Sequence, residues 1–166
     1  MATSLKPDYK NIPSARDMSF GIVVSEWHPA ITESLLKAAC DTLVSNGANK
    51  NNIQVKYVPG SFELILGAQL FAEYTDVDAV ICLGCIIQGE TPHFKYICKS
   101  VSYGIAELNI QYNLPFVFGV LTTNSYDQAL ERAGGKLGNK GEGAAITAIK
   151  MVALHLQMEA ESEQED

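Results

Sequence analysis

Positive charge and sulfur are scarce in this chain of 166 residues. Twelve lysines and arginines stand against nineteen aspartates and glutamates, leaving a net charge of −7 at pH 7. Nucleic acids and anionic membranes are held chiefly through lysine and arginine, so neither is expected as the main partner. No apolar run approaches the ~20 residues of a membrane span. The N-terminus lacks the basic and apolar regions of a signal peptide, and a cytoplasmic location is expected. Cysteine is limited to four residues, two of which, Cys82 and Cys85, have the C-x-x-C spacing of a redox pair or half a metal site. The first falls in an apolar strand pattern, the second precedes more apolar residues, and no further C-x-x-C or H-x-x-H completes a zinc set. Buried, reduced cysteines with no disulfide and no metal are expected. Neither Gly134-Gly135-Lys136 nor Gly138-Asn139-Lys140 fits G-x-x-x-x-G-K-[ST], so a Walker loop is not supported.

What is present describes an ordinary globular protein. Hydrophobic residues make up 47% and charged residues 19%. A chain of this length folds as one domain and buries roughly 70% of its unfolded surface. Residues 1–17 contain Pro7 and Pro13 without a clear period and read as an extended arm. The domain proper is expected over 18–158, with an acidic tail over 159–166. Apolar, β-branched runs predict strands at 20–24, 53–58, 77–83 and 116–121. Helical spacing predicts helices from Pro29 to about Asn46, over 62–74, from Pro92 to about Asn113, over 126–132, and from about Ala145 into the tail. A glycine- and lysine-rich loop is expected at 134–141. Strands that alternate with helices and are apolar almost throughout imply a parallel sheet covered on both faces. The fold class is therefore α/β: three α/β/α layers around a four-stranded parallel sheet with flavodoxin-like winding.

The chain is organised around Leu83-Gly84-Cys85-Ile86-Ile87-Gln88-Gly89-Glu90-Thr91-Pro92-His93. A strand leads into two glycines that allow a sharp turn and close approach to a ligand. Thr91 is then expected as an N-cap and Pro92 as the first helical residue. Free N–H groups at a helix start suit an anion, and His93 adds a proton-exchanging side chain there. In an open parallel sheet ligands bind beyond the carboxyl ends of the strands. The other unusual residues follow the strands too: Trp27 after the first, Gly60-Ser61-Phe62-Glu63 after the second, Thr122-Thr123-Asn124 after the fourth. Trp27 either stacks on a flat heteroaromatic ring or packs on the adjacent helix. Glu63 is either an N-terminal helix residue favoured by the dipole or an acceptor for paired hydroxyls. Arg132, Lys136 and Lys140 are either a phosphate-binding cluster or a solvated loop. His28 and His155 read as structural or surface residues.

Several motifs in order resemble those of the lumazine synthase family. They are Gly21-Ile22-Val23-Val24 with Trp27, Val58-Pro59-Gly60-Ser61-Phe62-Glu63, Leu83-Gly84 with Gly89, Thr91 and His93, Phe118-Gly119, Gln128-Ala129-Leu130 with Arg132-Ala133-Gly134, and Gly138-Asn139-Lys140-Gly141. The resemblance covers most of the chain. It implies condensation of 5-amino-6-(D-ribitylamino)uracil with 3,4-dihydroxy-2-butanone 4-phosphate to 6,7-dimethyl-8-ribityllumazine, the penultimate step of riboflavin biosynthesis, with no metal or organic cofactor. It implies that Trp27 stacks on the pyrimidine, that Glu63 accepts ribityl hydroxyls beside Ser61 and Phe62, and that Cys85, Ile86 and Ile87 hold the uracil edge through their backbone. Glu90 and Thr91 would lie at the phosphate, with Arg132 as countercharge. Phe118 would close the ring pocket, and Lys140 would assist at the heterocycle or phosphate. His93 would be the general acid/base, since an imidazole ordinarily titrates near pH ~6.5. The resemblance also implies a pentamer whose neighbour supplies Phe118, Arg132 and Lys140, with a sixty-subunit shell sterically open to a short connector at 134–141. His28, Gln88 and Pro92 depart from the family pattern, and Gln88 removes a positive charge near the phosphate loop. A non-catalytic riboflavin- or lumazine-binding protein is the alternative.

Overall fold

The computed structural model describes residues 9–164. Four apolar stretches form strands β1 (Phe20–Ser25), β2 (Ile53–Val58), β3 (Ala79–Ile87) and β4 (Phe116–Thr123). All are parallel, in the order β2-β1-β3-β4, with Phe20 opposite both Ile53 and Ala79, and Val80 opposite Phe116. The central pair is buried at almost every position, whereas edge strand β2 is partly buried only at Ile53, Val55 and Val58. Near-continuous burial is why β1 and β3 carry apolar runs without alternation.

Because side chains alternate across a strand, the sheet feeds two separate cores. Phe20, Ile22 and Val24 with Ile81 and Leu83 meet helices α1 (Pro29–Ser45) and α5 (Lys140–Ser162) on one face. Val23, Val80 and Cys82 meet α2 (Leu64–Tyr74) and α3 (His93–Tyr112) on the other. The short helix α4 (Tyr126–Arg132) joins the first core through Ala129. This is the expected α/β/α arrangement with flavodoxin-like strand order.

Several local expectations change. The third strand does not turn at Gly84 but continues to Ile87, with Cys85, Ile86 and Ile87 paired to Leu121, Thr122 and Thr123. Gly84 serves close packing instead: a Cβ there would lie 2.9 Å from Ser61 Oγ and 3.0 Å from Leu64 Cδ1. The turn comes after the strand, where the Gln88 N–H donates to the Thr123 carbonyl at 2.9 Å. Thr91 does not cap α3. Pro92 occupies the cap position (φ −62°, ψ −8°), and its carbonyl accepts from the Lys95 N–H at 3.0 Å, so the helix starts at His93.

The segment 134–141 is not an open loop. It forms a small antiparallel hairpin, β5 (Ala133–Gly135) and β6 (Gly138–Asn139), in which Gly134 (φ 109°) and Gly138 (φ 79°) take the left-handed backbone. Asn139 then caps α5 by accepting the Gly141 N–H at 2.9 Å. The second helix starts at Leu64 rather than Phe62, because Ser61–Glu63 form a turn in which the Ser61 carbonyl accepts from the Leu64 N–H. Of the expected arm, residues 1–8 lie outside the described residues. Within the remainder Ala15 is fully buried, its N–H donating to the Asn46 carbonyl at 2.8 Å. The tail expected from Glu159 is helical through Ser162. Among the described residues no helix is long and apolar enough to cross a membrane.

Candidate active site

The carboxyl ends of β1, β2 and β3 open onto one cleft of about 470 Å³. Its shape begins with the backbone after β1. The Glu26 N–H donates to the Val58 carbonyl at 2.9 Å, holding this loop to the end of β2. His28 then takes a left-handed conformation (φ 57°, ψ 59°) and Pro29 starts α1. The His28 carbonyl accepts from the N–H groups of Ile31 (2.9 Å) and Thr32 (3.0 Å), which fixes the reversal. Trp27 is left 66% exposed at the rim of the cleft.

Gly60 brings two of the named groups together. A Cβ at this position would lie 2.9 Å from Glu63 Oε2 and 3.5 Å from Trp27 Cδ1. The backbone just past β2 therefore runs close to both the carboxylate and the indole, and a side chain here would crowd the Glu63 carboxylate while only touching the indole. Ser61, Phe62 and Glu63 line the same cleft, together with Cys85, Ile86, Ile87 and His93. The lining also includes His28, which sequence reasoning placed among structural or surface residues. Its position directly after the lone tryptophan and before proline was the available signal.

Phe118, Arg132 and Lys140 are elsewhere on the same chain. They line a second groove of about 670 Å³ along the edge strand β4, beside Tyr9, Thr147 and Met151. Arg132 is half-buried and donates from Nη1 to the Gln128 carbonyl at 2.9 Å, one turn back in α4. No carboxylate among the described residues lies within ion-pairing distance of its guanidinium. Glu90 and Thr91 line neither groove and sit in the exposed turn before α3.

A family model for 6,7-dimethyl-8-ribityllumazine synthase matches residues 17–155. A protein of that name from Parabacteroides distasonis is 55% identical over 145 residues, covering 87% of this chain and 91% of its own. Another, from Cytophaga hutchinsonii, is 57% identical over 142 residues, covering 86% and 89%. A third, from Porphyromonas gingivalis, is 52% identical over 147 residues, covering 89% and 91%. This chain belongs to the 6,7-dimethyl-8-ribityllumazine synthase family. The family match spans every lining residue of the cleft and all but Tyr9 of the β4 groove.

Within this lumazine synthase family member, Cys82 and Cys85 do not form a unit. Three residues apart on a strand, they project to opposite faces, Cys82 into the core with α2 and α3 and Cys85 into the core with α1 and α5. Burial pushes the Cys82 thiol up to about 12 and the Cys85 thiol up to about 11. At neutral pH both are neutral, apolar walls. Iodoacetamide labelling read by mass spectrometry should leave both unmodified at pH 8 until denaturant is added. The unfolded thiols lose their protons from about pH 9, while the native ones hold them to 11 and beyond. The unfolded state therefore binds fewer protons across that window, and stability should fall as pH rises through it.

Proposed function

We propose that this chain condenses 5-amino-6-(D-ribitylamino)uracil with 3,4-dihydroxy-2-butanone 4-phosphate, yielding 6,7-dimethyl-8-ribityllumazine, phosphate and water. The observation that carries this reading is the single cleft that gathers an exposed indole, a carboxylate, three strand-end residues and an imidazole. Relatives named as synthases over nearly their whole length favour catalysis over the non-catalytic flavin binder.

The pyrimidine stacks on Trp27, and its edge runs along the strand-end backbone of Cys85, Ile86 and Ile87. Glu63 accepts the ribityl hydroxyls, with Ser61 and Phe62 beside it. The 5-amino group attacks the butanone carbonyl and water leaves to give an imine. Loss of phosphate, tautomerisation and attack by the ribitylamino nitrogen on the second carbonyl, with loss of a further water, close the ring. Each step moves a proton, and His93 at the start of α3 gives and takes them. Glu90 and Thr91 meet the phosphate mainly through main-chain N–H groups in the turn before α3.

Arg132 supplies the countercharge, Phe118 closes the ring pocket and Lys140 assists at the heterocycle or phosphate. These three line a different groove from His93, so they act on a neighbour's cleft. A closed ring of five, each chain offering its cleft to the next chain's β4 groove, satisfies this geometry. Apolar side chains exposed on α2 and α3, including Leu66, Tyr96, Tyr103 and Ile110, and on α5, including Met151 and Leu154, support such contacts. The N-terminal arm pairs with a neighbour's sheet edge. Because the connector before α5 is a compact hairpin, a shell of twelve pentamers is sterically open to this chain. The protein works in the cytoplasm. Light scattering after gel filtration distinguishes 18.0 kDa from about 90 and about 1,100 kDa. A species of about 90 kDa or larger is expected, and an active monomer would overturn the shared site.

A further inference from the structure

The geometry points to His28 as a positioning residue that fixes the indole of Trp27 as a stacking surface, itself braced by Tyr126 from α4. The inference rests on the reading of the cleft just given for its substrate, though not for its structural part. The imidazole centroid lies 6.0 Å from the Trp27 ring with the planes at 60°, an edge-on contact. It also lies 6.1 Å from the Tyr126 ring, with the planes tilted at 58°. Trp27 is 66% exposed and has the backbone of Gly60 beneath one edge. Among the described residues His28 is its only ring contact. An indole so exposed is otherwise free to change rotamer, and ordering it would fall to the substrate on binding.

Among the described residues no ion pair claims the His28 side chain. Its carbonyl starts α1, but its ring makes no capping hydrogen bond and no other hydrogen bond among the described residues. Only two other described non-glycine residues have positive φ, Asn11 and Asn113, and both are asparagine. Asparagine enters the left-handed region readily. His28→Asn therefore keeps the backbone reversal and removes only the ring, which separates the two contributions. Tyr126, the first residue of α4, connects this contact to the helix that bears Arg132 at its other end. The aromatic row Trp27–His28–Tyr126 thus ties the cleft to the element that carries the proposed phosphate ligand.

Trp27 is the only tryptophan, so its fluorescence reports this contact without a label. In the substrate-free protein, His28→Asn should lower the fluorescence anisotropy of Trp27, and Tyr126→Leu should lower it less. With substrates, His28→Asn should raise KM for the ribitylaminouracil about threefold to tenfold, the weight of one lost aromatic contact, with kcat within about twofold. Because Tyr126 acts through His28, the double variant should be no worse than His28→Asn alone. Unchanged anisotropy in His28→Asn would overturn the proposal, as would additive effects of the two substitutions. A fall in kcat with KM unchanged would also overturn it, marking His28 as a proton-transfer group. Should the native protein make no lumazine, the functional reading falls, while the anisotropy of the free protein still decides the role of His28.

Discussion

His93→Ala is expected to lower kcat about 100-fold and to change KM for either substrate little. His93 is the first residue of α3, and its imidazole is exposed on the cleft wall beside the strand end Cys85–Ile87. The condensation needs one group that both donates and accepts protons near neutrality, and imidazole is the side chain that does so unaided. The remaining acceleration comes from holding two flexible substrates in reacting contact, which the substitution leaves intact. A kcat equal to that of the native protein would remove His93 from the proton transfers.

Arg132→Ala should act on the opposite parameter. Removing one charge-assisted contact to phosphate is worth roughly 1.5–3 kcal/mol, or roughly tenfold to a hundredfold in KM for the butanone phosphate. KM for the ribitylaminouracil should stay near the native value. The loss should be felt strongly because Gln88 adds no charge to the proposed phosphate loop, and no described carboxylate competes for the Arg132 guanidinium. The two variants together test the shared site. In co-assembled His93→Ala and Arg132→Ala chains, about a quarter of the clefts would combine an intact His93 with a neighbour's intact Arg132. Activity should therefore rise well above that of either variant alone. No gain on mixing would mean that His93 and Arg132 serve one site from the same chain.

Much of this was legible in the sequence, for identifiable reasons. Strands buried on both faces carry unbroken apolar runs, so β1 and β3 were visible as such, and the helices between them kept a clear period. Local ends were less legible. Gly84 looks like a turn residue, yet its lack of a side chain admits Ser61 and Leu64 rather than a bend. Thr91 has the chemistry of a cap, but Pro92 takes the position. The hairpin at β5 and β6 depends on left-handed glycines, whose φ no sequence states.

The larger gap concerns which residues share a groove. Trp27, Glu63 and His93 could be grouped because each follows a strand end, a relation that topology alone fixes. Arg132 and Lys140 flank the hairpin before α5; the family resemblance already grouped them with Phe118, and the path of that connector against β4 is what puts the three in one groove. His28 was overlooked because its ring contact with Tyr126 joins the loop after β1 to α4, a proximity that sequence spacing does not reveal.

The most direct measurement mixes 5-amino-6-(D-ribitylamino)uracil with 3,4-dihydroxy-2-butanone 4-phosphate and follows lumazine absorbance with and without the native protein. Formation of 6,7-dimethyl-8-ribityllumazine many-fold faster than the spontaneous reaction, lost in His93→Ala, is the predicted result. No acceleration, with tight riboflavin binding retained, would contradict it and leave a flavin-binding protein in its place.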